Sequence, residues 1–174
     1  MPLNSRALAR VSIALFAPFA LLALAACDPQ RISELQPGAS TEADVRDRFG
    51  VPENVWDEPG GARTLEYNRQ PAGSVNYMIT IGSDGHMTAV RQVLTAENFA
   101  RVLPGMHTDE VRRMLGKPAK VTTYALKKET WTDWRFLASP NETKAFSVIS
   151  GPDHVVLRTQ IGDDMDSPDS KGGR

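Results

Sequence analysis

Pro37-Gly38-Ala39-Ser40-Thr41-Glu42-Ala43-Asp44-Val45, closing on Phe49-Gly50-Val51-Pro52, is the stretch on which the fold turns, because it comes round again. Its second appearance is Pro104-Gly105-Met106-His107-Thr108-Asp109-Glu110-Val111, closing on Leu115-Gly116-Lys117-Pro118. Val45 and Val111, Gly50 and Gly116, and Pro52 and Pro118 are each 66 residues apart, while Pro37 and Pro104 are 67 apart. Landmarks at a near-constant offset mark a repeat. In each copy a hydroxyl (Ser40 or Thr41, then Thr108) can accept a backbone N–H and cap a helix start, with acids in the first turn opposing the dipole. Val45 and Phe49, like Val111 and Leu115, stand four apart on one helix face. Gly50 and Gly116 supply the left-handed stop, and Pro52 and Pro118 forbid continuation. Shorter apolar segments before each turn, Ile32-Ser33-Glu34-Leu35 and Phe99-Ala100-Arg101-Val102-Leu103, predict short first helices.

Strand patterns follow each helix pair. Leu65-Glu66-Tyr67 alternates, and Val75 to Ile81 alternates over seven residues. Asp84-Gly85 is a hairpin turn signal leading into Met87 to Leu94. The second copy offers Trp131 to Phe136, Phe146 to Ile149, a turn at Pro152-Asp153, and Val155 to Ile161. Asn54-Val55-Trp56 and Ala119 to Tyr124 predict a first strand in each copy. The expected fold is therefore α+β: two tandem helix-helix-antiparallel-sheet repeats, residues 31–95 and 96–162, packed as one unit. A unit of this size buries a core only marginally alone, and Thr95-Ala96-Glu97-Asn98 joins the two without a Pro/Gly linker, so they should dock. Residues 163–174, rich in Asp, Ser and Gly, carry no periodicity and read as a disordered tail.

Strand parity then sorts the side chains. Tyr67, Tyr77, Ile79, Trp134, Phe136, Phe146 and Val148 fall on one side, under the helices. Glu66, Asn68, Asn76, Met78, Trp131, Asp133 and Arg135 fall on the other. A tryptophan beside an arginine is the composition of a binding hot spot, so Trp131, Arg135, Asp133, Met78 and Glu66 form the expected partner-binding set. The alternative, that Trp131 packs at the seam between repeats, stays open at this stage.

Composition narrows the chemistry. The 174 residues are 41% hydrophobic and 24% charged with net charge −1, which argues for a globular chain and against a polyanion-binding one, so no nucleic-acid partner is expected. One cysteine excludes an internal disulfide and a cysteine-based metal or redox cluster. No nucleophile elbow, zinc-binding helix, P-loop or dinucleotide fingerprint is present. His86 and His154 each follow a predicted turn, and His107 precedes a helix, so they read as loop side chains rather than ligands. No enzyme, metal or cofactor is expected.

The N-terminus is a targeting segment. Arg6 and Arg10 precede an apolar run, Val11 to Ala26, whose helix would be about 24 Å long. That is short of a hydrocarbon core of ~30 Å, so residues 1–26 read as a signal peptide, a short membrane anchor being the alternative. Leu24-Ala25-Ala26-Cys27 resembles the bacterial lipobox. Small residues admit the peptidase, and the Cys27 thiolate takes the diacylglyceryl group. The resemblance implies a mature chain beginning at Cys27, acylated there, with residues 27–30 as lipidated anchor and short linker and several acyl chains holding it to the bilayer. Asp28 resembles an inner-membrane retention signal.

A lipobox, then Pro-Gly, a capped helix with Val, and Gly-x-Pro before an antiparallel sheet resembles the SmpA/OmlA (BamE-like) family of small lipoproteins. The resemblance covers most of residues 31–161, once per repeat. It implies a periplasm-facing accessory of outer-membrane β-barrel assembly or envelope maintenance, outer-membrane anchoring, and assembly components as partners. No partner-contact residue of the family maps onto a shared motif position. The duplicated form is similar to β-lactamase inhibitor proteins, in which two related units make one continuous concave sheet. That likeness implies the alternative role, a periplasmic protein-binding or enzyme-inhibitor module.

Overall fold

A computed structural model of the chain describes residues 28–164. The expected signal peptide, the expected acylation site Cys27 and residues 165–174 of the expected tail lie outside the described residues. In chain order come α1 (Asp28–Ser33), α2 (Glu42–Phe49), β1 (Asn54–Asp57), β2 (Arg63–Asn68), β3 (Asn76–Ile81) and β4 (Met87–Gln92). Then come α3 (Ala96–Ala100), α4 (Thr108–Leu115), β5 (Lys120–Tyr124), β6 (Glu129–Ser139), β7 (Glu142–Ser150) and β8 (Val156–Asp163). The fold is α+β, with two four-stranded antiparallel sheets ordered β1-β2-β3-β4 and β5-β6-β7-β8, and a two-unit arrangement is consistent with it. These are called sheet 1 and sheet 2 below.

Capping explains where the longer helices begin. Thr41 accepts the Asp44 N–H while the Asp44 carboxylate accepts from the Thr41 N–H and hydroxyl, a reciprocal box. The Thr41 backbone bond, then its hydroxyl, holds the Asp44 carboxyl below its ordinary range. In α4 the cap is His107, not the expected Thr108. His107 Nδ1 accepts from the Asp109 N–H at 3.3 Å, and Glu110 accepts from the His107 N–H at 3.0 Å. The 66-residue offset places His107, an imidazole acceptor, where Thr41 stands in the first copy. The short helices also start earlier than their apolar residues suggested, because Thr95 caps α3 by accepting the Asn98 N–H.

Parity and register place the core. On sheet 1, Leu65, Tyr67, Tyr77, Ile79 and Ile81 face α2 and bury Val45 and Phe49 with Leu35. On sheet 2, Trp134, Phe136, Phe146 and Val148 face α3 and α4 and bury Phe99, Val111 and Leu115. The Tyr67 hydroxyl donates to the Gly50 carbonyl at 3.1 Å, and the Trp134 indole donates to the Gly116 carbonyl at 2.9 Å. Each aromatic thus buries its ring and satisfies its polar tip on a helix stop.

The second core also contains Met78, from the opposite face of sheet 1. That contact defines the architecture: α2, sheet 1, α4 and sheet 2 lie in successive layers, with α4 between the sheets. The continuous concave sheet expected from the inhibitor likeness does not form. β4 ends at Gln92 and the chain passes through Val93 and Leu94 directly into α3, so α4 covers the face of sheet 1 instead of β5 extending its edge.

Two further boundaries are corrected. β6 and β7 are much longer than the apolar runs that announced them, pairing from Thr130 with Ser150 out to Ser139 with Glu142. Backbone pairing carries on through Leu137 to Lys144, where side-chain alternation has faded. The tail does not begin at residue 163: β8 includes Asp163, and Asp164 is buried, paired with Arg135.

Candidate functional site

The two sheets present equivalent faces to different surroundings. On sheet 1 the face opposite α2 carries Glu66, Asn68, Asn76 and Met78, and α4 with the turn after it fills that face. Arg112 donates to Glu66 Oε1 at 2.6 Å and the Lys117 N–H to the same oxygen at 2.9 Å. Asn68 Nδ2 and the Trp56 indole complete the set of donors to that carboxylate. The Asn76 amide donates to the Leu115 and Lys117 carbonyls, satisfying acceptors at the end of α4. Glu66 and Met78, expected to meet a partner, are 0% and 2% exposed. Their parity is as expected, but the face is closed by a segment some fifty residues further along the chain.

On sheet 2 no helix of the described chain fills the corresponding face, though Ile149 and Ser147 at its middle are buried. Thr122 and Lys120 of β5, Trp131 and Asp133 of β6, Ile149 and Ser147 of β7, and Arg158 and Gln160 of β8 lie in cross-strand rows upon it. Small side chains at Ala145, Ser147 and Gly162 leave a trough of about 400 Å³. The structure brings Trp131, Asp133 and Arg135 together here, as the sequence placed them.

Each end of the trough is fenced. At one end Glu129 accepts from the Trp131 indole at 3.1 Å and from both Arg158 Nη atoms at 2.8 and 3.1 Å. Arg158 lies 5.9 Å from the Trp131 ring centre, and Tyr124 meets that ring edge-on at 5.7 Å. The Arg158 guanidinium, then the Trp131 indole, pulls the Glu129 carboxyl down to about 2. At the other end Arg135 pairs with Asp164 and donates to the Pro71 carbonyl at 2.7 Å. Gln70 bonds the Arg135 backbone through both amide atoms. Between the fences, Asp133 Oδ1 is enclosed without any hydrogen-bond partner.

Parity found the row Trp131, Asp133, Arg135 but missed Glu129, Arg158, Gln70 and Asp164, which hold it. Cross-strand register joins Glu129 to Arg158 only once β6, β7 and β8 are aligned. Asp164 lies in a stretch whose composition reads as tail. A second concavity, of about 830 Å³, runs between the units beside Trp56, Met78, Arg91, Met106, Arg113 and Met114. Among the described residues, no group of three or more His, Cys, Asp or Glu side chains is placed to hold a metal. Among them also, no helix is long and apolar enough to cross a membrane.

No family model matches this chain, and no curated protein matches it. Among solved structures it is similar to a DUF4309 family protein, YjgB, from Bacillus subtilis subsp. subtilis str. 168. The likeness covers 78% of this chain and 86% of that one at 18% identity, with a TM-score of 0.32. At that level it transfers no function.

Proposed function

We propose that this chain is a non-catalytic, lipid-anchored envelope protein that works by binding another protein. On the family resemblance, it serves as an accessory to outer-membrane β-barrel assembly or envelope maintenance. In this reading Cys27 carries the acyl chains, no cofactor is needed beyond that covalent lipid, and the folded part faces the periplasm. Asp28 keeps the inner membrane as the rival address. The supporting observation is the outer face of sheet 2, where Trp131, Asp133 and Arg135 share one strand face beside a trough that no helix of the described chain fills, whereas α4 fills the matching face of sheet 1. An aromatic beside charged groups on a rigid open sheet is suited to protein recognition.

The finer fold reading belongs to the same proposal: two tandem helix-helix-sheet repeats arose from one unit. The 66-residue spacing supports it, as do the matched bonds from Tyr67 to Gly50 and from Trp134 to Gly116. The inhibitor alternative relied on a continuous concave sheet, and two separate sheets leave it without that surface.

Three measurements test the proposal. Cys27→Ser should accumulate as an uncleaved precursor that takes up no labelled palmitate; normal processing would sink the lipoprotein reading. Envelope fractionation assigns the membrane. After mild-detergent extraction the mature chain should co-purify with barrel-assembly components, and recovery of a single hydrolase would restore the inhibitor reading.

A further inference from the structure

We propose that β8 is an interface strand: it pairs antiparallel with β8 of a second copy of this chain, joining two four-stranded sheets into one of eight. This pairing lies beyond the binding-face reading above and leaves the trough uncovered.

Four strands edge the two sheets, and they are unequal. β1, β4 and β5 have four, six and five residues, whereas β8 has eight. An exposed edge is a row of unpaired N–H and C=O groups, which proteins blunt with short strands, lysine, proline or a cover. β8 contains neither lysine nor proline. Only its first residue is covered: the Val156 N–H donates to the Met106 carbonyl, and the Val156 carbonyl accepts from the Gly105 N–H, both at 2.9 Å. From Leu157 to Asp163 the backbone on the side away from β7 has no hydrogen-bond partner among the described residues. The register shift against β7 falls at the covered end, so Arg158 to Asp163 runs unbroken and another strand can follow it. Ile161 stands 54% exposed on this run.

The run complements itself. Residues 157–163 are centred on Gln160, so antiparallel pairing with a second copy sets Gln160 opposite Gln160 and Thr159 opposite Ile161, a favourable β-branched pair. Arg158 falls opposite Gly162, where a Cβ would meet nothing within 4 Å, and Asp163 falls opposite Leu157. No like charges are opposed, and Glu129 holds the Arg158 guanidinium over the sheet face. The two-fold axis of such a pair stands perpendicular to the sheet. Both copies then present α2 on one side and the trough on the other, so chains anchored through Cys27 can pair within one bilayer. A single strand pair buries less than the ~800 Å² per partner of a standard interface, so the dimer is weak in solution. Confinement of both anchors to one membrane raises the effective concentration.

The test uses the mature chain in two forms: lipidated in phosphatidylcholine vesicles, and unacylated with Cys27→Ser, produced without the signal segment. In the unacylated form Gln160→Cys is the only thiol. Directly opposed strand residues lie within disulfide reach, so mild oxidation should link it at least about tenfold faster than Thr123→Cys on the β5 edge. In vesicles the yield of the Gln160→Cys disulfide should hold when the vesicles are diluted tenfold, since the paired chains share one bilayer. Gln160→Lys and Gln160→Glu each oppose like charges across the axis and should weaken dimerisation in sedimentation by about fivefold; an equimolar mixture of the two should restore it. A chain that sediments as a monomer at every concentration, or links equally at 160 and 123, overturns the pairing. Failure of the mixture to restore the dimer also overturns it, by showing that the substitutions do not meet across an axis. Slow amide exchange over 157–163 in a monomeric chain would do the same, because the chain's own tail would then cover the edge. The unacylated arm tests the pairing whether or not Cys27 carries lipid.

Discussion

Two tryptophans three positions apart in one strand separate the residue-scale roles. Trp134 is 2% exposed and bonded to the Gly116 carbonyl, while Trp131 lies on the outer face. Trp134→Ala should cost about 3–5 kcal/mol in chemical denaturation, as emptying a buried aromatic site does. Trp131→Ala should cost much less stability but weaken partner capture by about 2 kcal/mol or more. Equal stability losses, with no selective loss of capture, would make Trp131 a packing residue. Its neighbour gives a pH signature. Glu129 ordinarily titrates near 4.5 and is held down to about 2 by Arg158 and Trp131. A depressed carboxyl adds stability that is complete above its unfolded pKa and fades as pH falls through the folded one. The melting-temperature gap between the natural chain and Glu129→Gln should therefore be constant above about pH 5 and shrink steadily toward pH 2. A gap that does not shrink would mean the ion pair adds nothing to the folded state. Parity told the two tryptophans apart from sequence. It was silent on Glu66 and Asp133, which share a parity class yet differ in cover, because Arg112 and Lys117 come from far along the chain.

Among the elements, α2 and α4 end alike and are constrained differently. Gly50 has φ 82° and ψ −155°, and Gly116 has φ 77° and ψ −171°, a region open essentially to glycine alone. Around Gly50 a Cβ would meet nothing within 4 Å, whereas at Gly116 it would stand 2.7 Å from Asn68 Oδ1 and 3.0 Å from Asn76 Nδ2. Gly50→Ala should cost about 1–3 kcal/mol through backbone strain alone. Gly116→Ala should cost clearly more and broaden the unfolding transition, since it also pushes the seam amides apart. Matched losses in the two variants would show that the seam yields easily. Both stops were legible, since Gly-x-Pro after an apolar pair has one reading. The β6–β7 hairpin was not: its tip, Pro140-Asn141-Glu142-Thr143, has the composition of a loop, and the strands persist there on backbone bonds. The cap of α4 was read one residue late because a histidine is a rare acceptor at that position and a threonine follows it.

At the scale of the molecule, the sequence implied two docked units, with which the two separate sheets are consistent, but not how they stack. The inhibitor likeness implied a shared sheet, and the contacts that decide for a stack, Asn76 to the end of α4 and Met78 into the second core, join residues about forty positions apart. With α4 serving both sheets, the fragments 28–95 and 96–174 should each fold poorly, and the mature chain should unfold in one transition by calorimetry and circular dichroism. Two transitions that match two well-folded fragments would mean the units are independent. The layering also gives the protein a direction. The stack opens on helices, where the described chain begins, and finishes on a bare sheet, so its two ends are chemically unlike. Three layer spacings of about 10 Å put the trough roughly 30 Å from α2. Tethered through Cys27, the molecule would act as a spacer, holding its recognition surface out past the lipid headgroups and turned away from the bilayer that carries it.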